Sequence, residues 1–263
     1  MSRQIIINSG IREKRAAILL NEQLEDIFFE HDTYEQIAGN IYKGLVRDVL
    51  PGMQAAFVDI GIEKNAFLHI NDLYLEFNDE QRKLYKKNKL GIQHVLHPGK
   101  EIMVQVVKEE IGSKGPKITC KITLPGRYYV LMPGDGRINI SRKIKDDKER
   151  GRLKGISADL CNDKYGVIIR TNATGRRKKE LQVDLDYLIN IWEGILDDYK
   201  KSRAPHLIHK HVGLIRRVIR DYLSIDIDKM VVDSPNEYQS IIGLLKKVAP
   251  HLKSKVELYK GKE

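Results

Sequence analysis

The stretch from Ile41 to Ile70, IYKGLVRDVLPGMQAAFVDIGIEKNAFLHI, admits little besides short β-strands. Its apolar and β-branched runs are cut by Pro51-Gly52 and by Gly61, and such turn formers set where each run stops. The pattern predicts strands over Tyr42–Val49, Ala55–Asp59 and Ala66–His69. Alternation within them is only partial, as expected where strands curl into a small barrel. Val46, Val49, Ala56 and Val58 are the expected inward positions. Phe57 then faces outward, because neighbours on a strand point to opposite sides. Phe67, one strand later, falls on the same outer face. Two outward aromatics with Lys43, Arg47 and Lys64 nearby would make a stacking platform for nucleic-acid bases. His69 lies within reach of the same ligand. The competing reading is that these phenylalanines fill a core, the commoner fate of Phe.

The chain beyond supplies the rest of a barrel. Glu101–Lys108 and Lys117–Ile122 have the composition of two closing strands, joined by the short basic turn Gly112-Ser113-Lys114-Gly115. Asp72–His97 is then an insertion, expected as a helix plus a loose loop. Before the barrel, Gln4–Asn8, Ala16–Leu20 and Gln23–Glu30 form an antiparallel meander. A meander of this size cannot bury a core by itself. It must pair with something later, which makes the barrel an insertion into another domain.

After the barrel, Pro125-Gly126-Arg127-Tyr128-Tyr129-Val130-Leu131-Met132-Pro133 opens a new unit with a strand. A polar helix is expected over Asp146–Ser157, with Ser141 as a cap. Tyr165–Ile169 is a buried-looking strand that ends in Arg170-Thr171 and a small polar loop. A guanidinium beside a hydroxyl suits a phosphate monoester, held bidentately with one added hydrogen bond. The alternative for this pair is a solvated surface arginine. Lys178–Lys200 is an amphipathic helix with Leu181, Leu185, Leu188, Ile189, Trp192, Ile195 and Leu196 on one face. The tail reads as a helix over Leu214–Tyr222, a strand over Lys229–Val232, a Ser234-capped helix to Val248 and a strand over Lys255–Tyr259. Meander and tail together would form one sheet covered by helices.

Composition narrows the class. The 263 residues are 41% hydrophobic, enough for a proper core, and Lys plus Arg exceed Asp plus Glu by 46 to 36, a net charge of +10. That balance attracts an anionic partner through long-range fields and counterion release. No run approaches the roughly 18 apolar residues of a membrane span, and the first residues lack a signal-peptide pattern. Cys120 and Cys161 are too few for a disulfide framework or a zinc site. These features point to a cytoplasmic protein.

The landmarks NIYKGLVRDVLPGMQAAFVDIG, KEEIGSKGP, GRYYVLMP, ISRKI, GVIIRTNATG, RAPHLIH, RDYL and ELYKG occur in an order that resembles the N-terminal half of the ribonuclease E/G family. The resemblance implies a mixed α+β chain. A ribonuclease H-like domain (1–36 plus 205–263) would be split by an S1 RNA-binding barrel (37–124) and a 5′-sensor region (125–204). It implies a single-stranded RNA partner, gripped by Phe57, Phe67, Lys114 and Lys43, whose 5′-monophosphate meets Gly126, Val130, Arg170 and Thr171. Family members are Mg²⁺-dependent endoribonucleases of RNA processing and decay. Their paired aspartates lie in a later nuclease domain, followed by a cysteine pair that shares zinc between subunits. This sequence supplies neither, so no cofactor is expected here and the chain is expected not to cut RNA alone. Oligomerisation belongs to the full-length enzyme.

Other readings compete. Asp221, Asp226, Asp228 and Asp233 would serve a self-sufficient ribonuclease H-like nuclease, if they converged on two metal ions; otherwise they are loop and cap residues. His206, His209 and His211 suggest zinc but lack a partner at ligand spacing. A stand-alone S1 RNA-binding or regulatory protein, and a structural adaptor for acidic proteins, complete the set.

Overall fold

The computed structural model describes residues 2–31, 36–73, 90–110, 112, 114–161, 165–223 and 226–261. In chain order the elements are β1 (Arg3–Ser9), β2 (Glu13–Leu20), β3 (Gln23–His31), β4 (Ile41–Leu50), β5 (Ala55–Asp59), β6 (Ala66–His69), β7 (Glu101–Lys108), β8 (Lys117–Thr119), β9 (Leu124–Pro125), β10 (Tyr129–Met132), β11 (Ile138–Ile140), α1 (Asp147–Cys161), β12 (Gly166–Ile169), α2 (Lys178–Lys201), β13 (His206–His209), α3 (Leu214–Asp221), β14 (Lys229–Val232), α4 (Pro235–Val248) and β15 (Val256–Leu258). The chain is a mixed α+β protein.

The N-terminal meander finds its partner in the tail. The strands order as β15-β14-β1-β2-β3, with β1 parallel to β14 in the register Ile5↔Met230. One face of this sheet buries Ile5, Ile7, Ala16, Ile18, Met230 and Val232 against Leu214, Ile215, Val218 and Ile219 of α3 and Ile241 and Leu245 of α4. Helix α4 starts where Ser234 Oγ accepts from the Glu237 N–H, with Pro235 at the first helical position. That arrangement satisfies an orphan donor and uses a residue that has none. On the open face Ile6, Ile27 and Phe29 stay exposed.

Strands β4-β5-β6-β8-β7 form a closed barrel, sealed by β4–β7 pairing, with β6 and β8 parallel. This is the strand order of an oligonucleotide-binding-type barrel. Val46, Ala56, Val58, Leu68, Val104 and Ile118 fill it. Val49, expected inside, packs against this core and is half-buried near the end of β4. Of the expected insertion, residues 74–89 lie outside the described residues. Its return places Ile92 in the barrel core, where the Ile92 N–H donates to Gln54 Oε1 at 3.1 Å.

The third sheet, β11-β12-β10-β9, packs on α1 and α2 around Tyr129, Leu131, Leu153, Val167, Ile169, Leu181 and Leu185. Helix α1 runs past its expected end at Ser157. That serine is buried, and its hydroxyl bonds the Leu153 carbonyl and Tyr129 Oη, each at 2.8 Å. The side chain accepting at the helix start is Asp146, from the Lys148 N–H, not Ser141.

Two expectations about the barrel are corrected. Strand β13, expected to belong with the tail, pairs instead with β4 (His206↔Lys43, His209↔Ile41). Its partner β5 covers β4 only from Leu45 onward, so β13 closes an edge that would otherwise stay unpaired. Lys43, expected on the RNA-facing wall, is 7% exposed and turned inward. Its ammonium donates to the Tyr199 and Ser202 carbonyls at 3.1 and 2.9 Å, pairs with Glu101 at 2.8 Å, and sits 4.6 Å from the Tyr199 ring centroid. The last carbonyls of a helix lack partners and carry partial negative charge, so the end of α2 captures this cation. Lys43, and secondarily the Ala204 N–H, hold the Glu101 carboxyl below its usual range.

Lys43 therefore fastens the barrel to α2. Replacing it by Met is expected to lower stability by about 1.5–3 kcal/mol, the scale of hydrogen bonds to a charged group. Urea unfolding measures this, and an unchanged midpoint would remove Lys43 from the account of stability.

Candidate nucleic-acid interface

Alternation on β5 and β6 turns Phe57 and Phe67 away from Ala56, Val58, Ala66 and Leu68, which line the barrel core. The two phenylalanines pair directly across the strands, and their rings lie 6.2 Å apart with planes tilted by 67°. The row continues on both sides through Asp48↔Phe57 and Phe67↔Lys117. Both rings are half-buried, neither in the core nor fully in solvent. His69 follows on the same face, where its Nδ1 accepts from the Asn71 N–H.

The cations around this row differ. Arg47 grips Asp59 at 2.7 Å, and Lys64 donates to the Gly112 carbonyl at 2.8 Å with Glu110 at 3.3 Å. Lys114 is exposed, and its side chain makes no hydrogen bond or ion pair among the described residues. It sits on a segment pressed against β6: the Phe67 N–H donates to the Pro116 carbonyl, and a Cβ on Gly115 would lie 2.1 Å from the Asn65 carbonyl oxygen. Phe57 and Phe67 thus share one outward row, Lys114 lies on the segment that runs beside β6, and Lys43 is buried against α2.

Arg170 ends β12 in an extended conformation, its N–H donating to the Tyr128 carbonyl. Its guanidinium donates to the Gly126 carbonyl at 2.6 Å and to Asp221 Oδ1 at 2.5 Å. Asp221 also takes Arg220, through Nε at 2.9 Å and Nη2 at 2.7 Å. Burial alone would raise the Asp221 carboxyl, but Arg220 and then Arg170 hold it below its usual value. Two arginines share one carboxylate, so the cluster keeps one net positive charge. Arginine has five N–H donors, and the two bonds above leave three of Arg170's for a ligand.

Thr171, exposed, opens the turn that follows and lines an open hollow with Lys143, Lys145, Asp146, Glu149 and Thr174. Val130 pairs with Pro125 and Ile168, half-buried on the face opposite Tyr129 and Leu131. Ile168 and Arg170 are two residues apart on extended chain, so Val130 belongs to the face that Arg170 continues. Arg170 bonds Gly126 and directly precedes Thr171 in the chain, and Val130 lies on the face that Arg170 continues.

Sequence reasoning missed Asp184. Its carboxylate, 7% exposed on the second turn of α2, accepts from the backbone N–H groups of Arg127, Tyr128 and Tyr129 at 3.0, 2.8 and 3.0 Å. Burial pushes this carboxyl up, against the lowering effect of the three N–H groups and the Arg127 charge. The Arg127 side chain runs to the Ile219 and Leu223 carbonyls at the end of α3. The signal available in the sequence was an acid on the apolar stripe of an amphipathic helix, between Leu181 and Leu188.

The other acids do not converge. Asp228 accepts from the Arg3 N–H at 2.7 Å, Asp233 from Asn8 and Ser9, and Asp226 is exposed. No group of three or more His, Cys, Asp or Glu among the described residues is placed to hold a metal ion. His211 donates its N–H to Asn40 Oδ1, and burial, then Arg220 and Arg217, lower its imidazole to about 4. No described helix is long and apolar enough to cross a membrane.

Comparison with known proteins gives the family. The model of the Ribonuclease E/G family matches residues 123–263. Ribonuclease G of Escherichia coli (strain K12) is 37% identical over 267 aligned residues, covering 100% of this chain and 54% of that protein. Ribonuclease E of Haemophilus influenzae is 36% identical over 262 residues, 99% of this chain and 28% of that protein. Ribonuclease E of Nostoc sp. (strain PCC 7120) is 37% identical over 235 residues, 89% and 33%. The chain spans about half the length of the Ribonuclease G relatives it matches. An oligonucleotide-binding-type barrel with an outward aromatic pair and an arginine cluster on the adjoining sheet sit on a sequence that aligns with these ribonucleases over 89% to 100% of its length: the chain belongs to the Ribonuclease E/G family.

Proposed function

We propose that this chain holds single-stranded RNA for an endoribonuclease of RNA processing and decay, and that it reads the 5′ end of that RNA. The observation that carries the reading is the Phe57–Phe67 pair, outward on the barrel at 6.2 Å, in a chain whose relatives are named ribonucleases. Aromatic faces accept any base by stacking but need bases splayed out of a duplex. Lys114 beside them supplies an uncommitted charge for the backbone. Cutting RNA with Mg²⁺ requires carboxylates converging on the metal, so this reading gives the described residues recognition and leaves hydrolysis to other residues.

The second half of the reading is a 5′-monophosphate at Arg170 and Thr171. A terminal monophosphate has a second pKa of about 6 and approaches two negative charges at neutral pH. The Gly126 carbonyl and Asp221 hold Arg170 from one side, which leaves an edge of the planar fork for a phosphate. A lysine offers only a point charge and would not substitute fully.

Two outcomes are expected. Phe57→Ala and Phe67→Ala should each weaken binding of a single-stranded oligoribonucleotide by about 1–3 kcal/mol, while Lys114→Ala lowers the salt slope by about one. Equal affinity for duplex RNA, or a folded Phe57→Ala chain that binds normally, would contradict the platform.

The 5′-monophosphate form of the RNA should bind more tightly than the 5′-hydroxyl form by about 1.5–3 kcal/mol, and Arg170→Ala should abolish the difference. Asp221 is held below its usual value and His211 is lowered to about 4, so neither changes charge near pH 6, where the ligand phosphate does. The preference should therefore grow as pH rises through about 6. A preference that is flat with pH, or that survives in Arg170→Ala, would remove Arg170 from this role.

A further inference from the structure

The Asp184 carboxylate occupies a site made for an anion. Three consecutive backbone N–H groups, from Arg127 to Tyr129, converge on it, the arrangement that elsewhere cradles phosphate. No cationic side chain among the described residues is hydrogen-bonded to it. Arg127, the nearest by sequence, spends its guanidinium on the carbonyls at the end of α3. A carboxylate buried this way is costly, so its position calls for a purpose beyond packing.

The purpose lies one residue away. The Gly126 N–H closes the same turn on the Tyr129 carbonyl at 2.8 Å, and the Gly126 carbonyl receives Arg170 Nη1 at 2.6 Å. The fit is tight. A Cβ on Gly126 would lie 2.7 Å from both Asp184 Oδ2 and Leu188 Cδ1. Asp184 thus fixes the turn, the turn fixes the Gly126 carbonyl, and the carbonyl fixes the guanidinium.

We propose that Asp184 is the positioning residue of the 5′-phosphate site: it aims Arg170 through the Gly126 carbonyl, and it fills the backbone nest so that the ligand phosphate is left to Arg170 and Thr171. The proposal rests on the 5′-end reading above. It gives the site two layers, an internal anion that shapes the turn and an external anion that the turn's arginine receives.

The test compares 5′-monophosphate and 5′-hydroxyl forms of one oligoribonucleotide on wild type, Asp184→Asn, Arg170→Ala and the double variant. An amide at position 184 cannot accept from all three N–H groups. The preference of Asp184→Asn for the monophosphate should fall by about fivefold or more, the scale of one lost hydrogen bond. Adding Asp184→Asn to Arg170→Ala should remove nothing further, since both act on one guanidinium. A folded Asp184→Asn chain that keeps the wild-type preference, or losses that add in the double variant, would overturn the proposal. A wild-type chain without any preference would overturn the 5′-end reading itself and this proposal with it.

A second measurement works on wild type, should Asp184→Asn not fold. On addition of the 5′-monophosphate oligonucleotide, the amide resonances of Arg127, Tyr128 and Tyr129 should stay near their free positions while the Arg170 Nε resonance moves. Large shifts at all three amides would mean that the phosphate displaces Asp184, which overturns the proposal.

Discussion

The turn from Gly126 to Tyr129 is gripped from two sides, and much of the molecule hangs on that grip. Helix α2 takes its backbone N–H groups through Asp184. Helix α3 takes its side chain, as Arg127 donates to the Ile219 and Leu223 carbonyls. A β-sheet, two helices and the arginine at the end of β12 are thereby referred to four residues. The same helix α2 is held at its other end by Lys43 of the barrel. One long rigid element therefore touches both the aromatic wall's barrel and the turn that aims Arg170. Buried charges with several partners suit such joints, because a misplaced partner leaves an uncompensated charge and is strongly penalised.

Charge alone does not single out the aromatic wall of the barrel. The net charge of +10 is spread over many surface cations, and several near the barrel wall are already committed to carboxylates, as Arg47 is to Asp59. What distinguishes the wall is geometry: an outward aromatic pair in direct cross-strand register, with an uncommitted lysine on the adjoining segment. The arginine cluster differs from an ordinary surface pair in the same way. Arg170 and Arg220 share Asp221, so the cluster keeps one positive charge, held by side chains that are each bonded to a backbone carbonyl as well.

Local features of the sequence were legible where turn residues close both ends of a run. The strands Ala55–Asp59, Ala66–His69 and Lys229–Val232 were read to the residue. The outward direction of Phe57 and Phe67 followed from a period of two. What stayed hidden depended on contacts distant along the chain. Lys43 looks like a member of the basic wall until the carbonyls of Tyr199 and Ser202 arrive from a helix more than 150 residues later. Asp221 looks like a metal-ligand candidate until two arginines claim it. His206–His209 reads as part of the tail because nothing local reveals the open edge of β4. Asp184 was hidden for the opposite reason. An acid in a helix is so ordinary that only its burial marks it.

If RNA runs from the phenylalanine wall of the barrel to Arg170 and Thr171, its path can be traced base by base. Photo-crosslinking of a 5′-monophosphorylated single-stranded oligoribonucleotide, with a photoreactive base at its first position and others along its length, maps that path directly. Adducts from the first base should fall on the segment around Arg170 and Thr171, and adducts from later bases on Phe57 and Phe67. Adducts gathered instead on the open face of the N-terminal sheet, around Ile6, Ile27 and Phe29, would contradict the account.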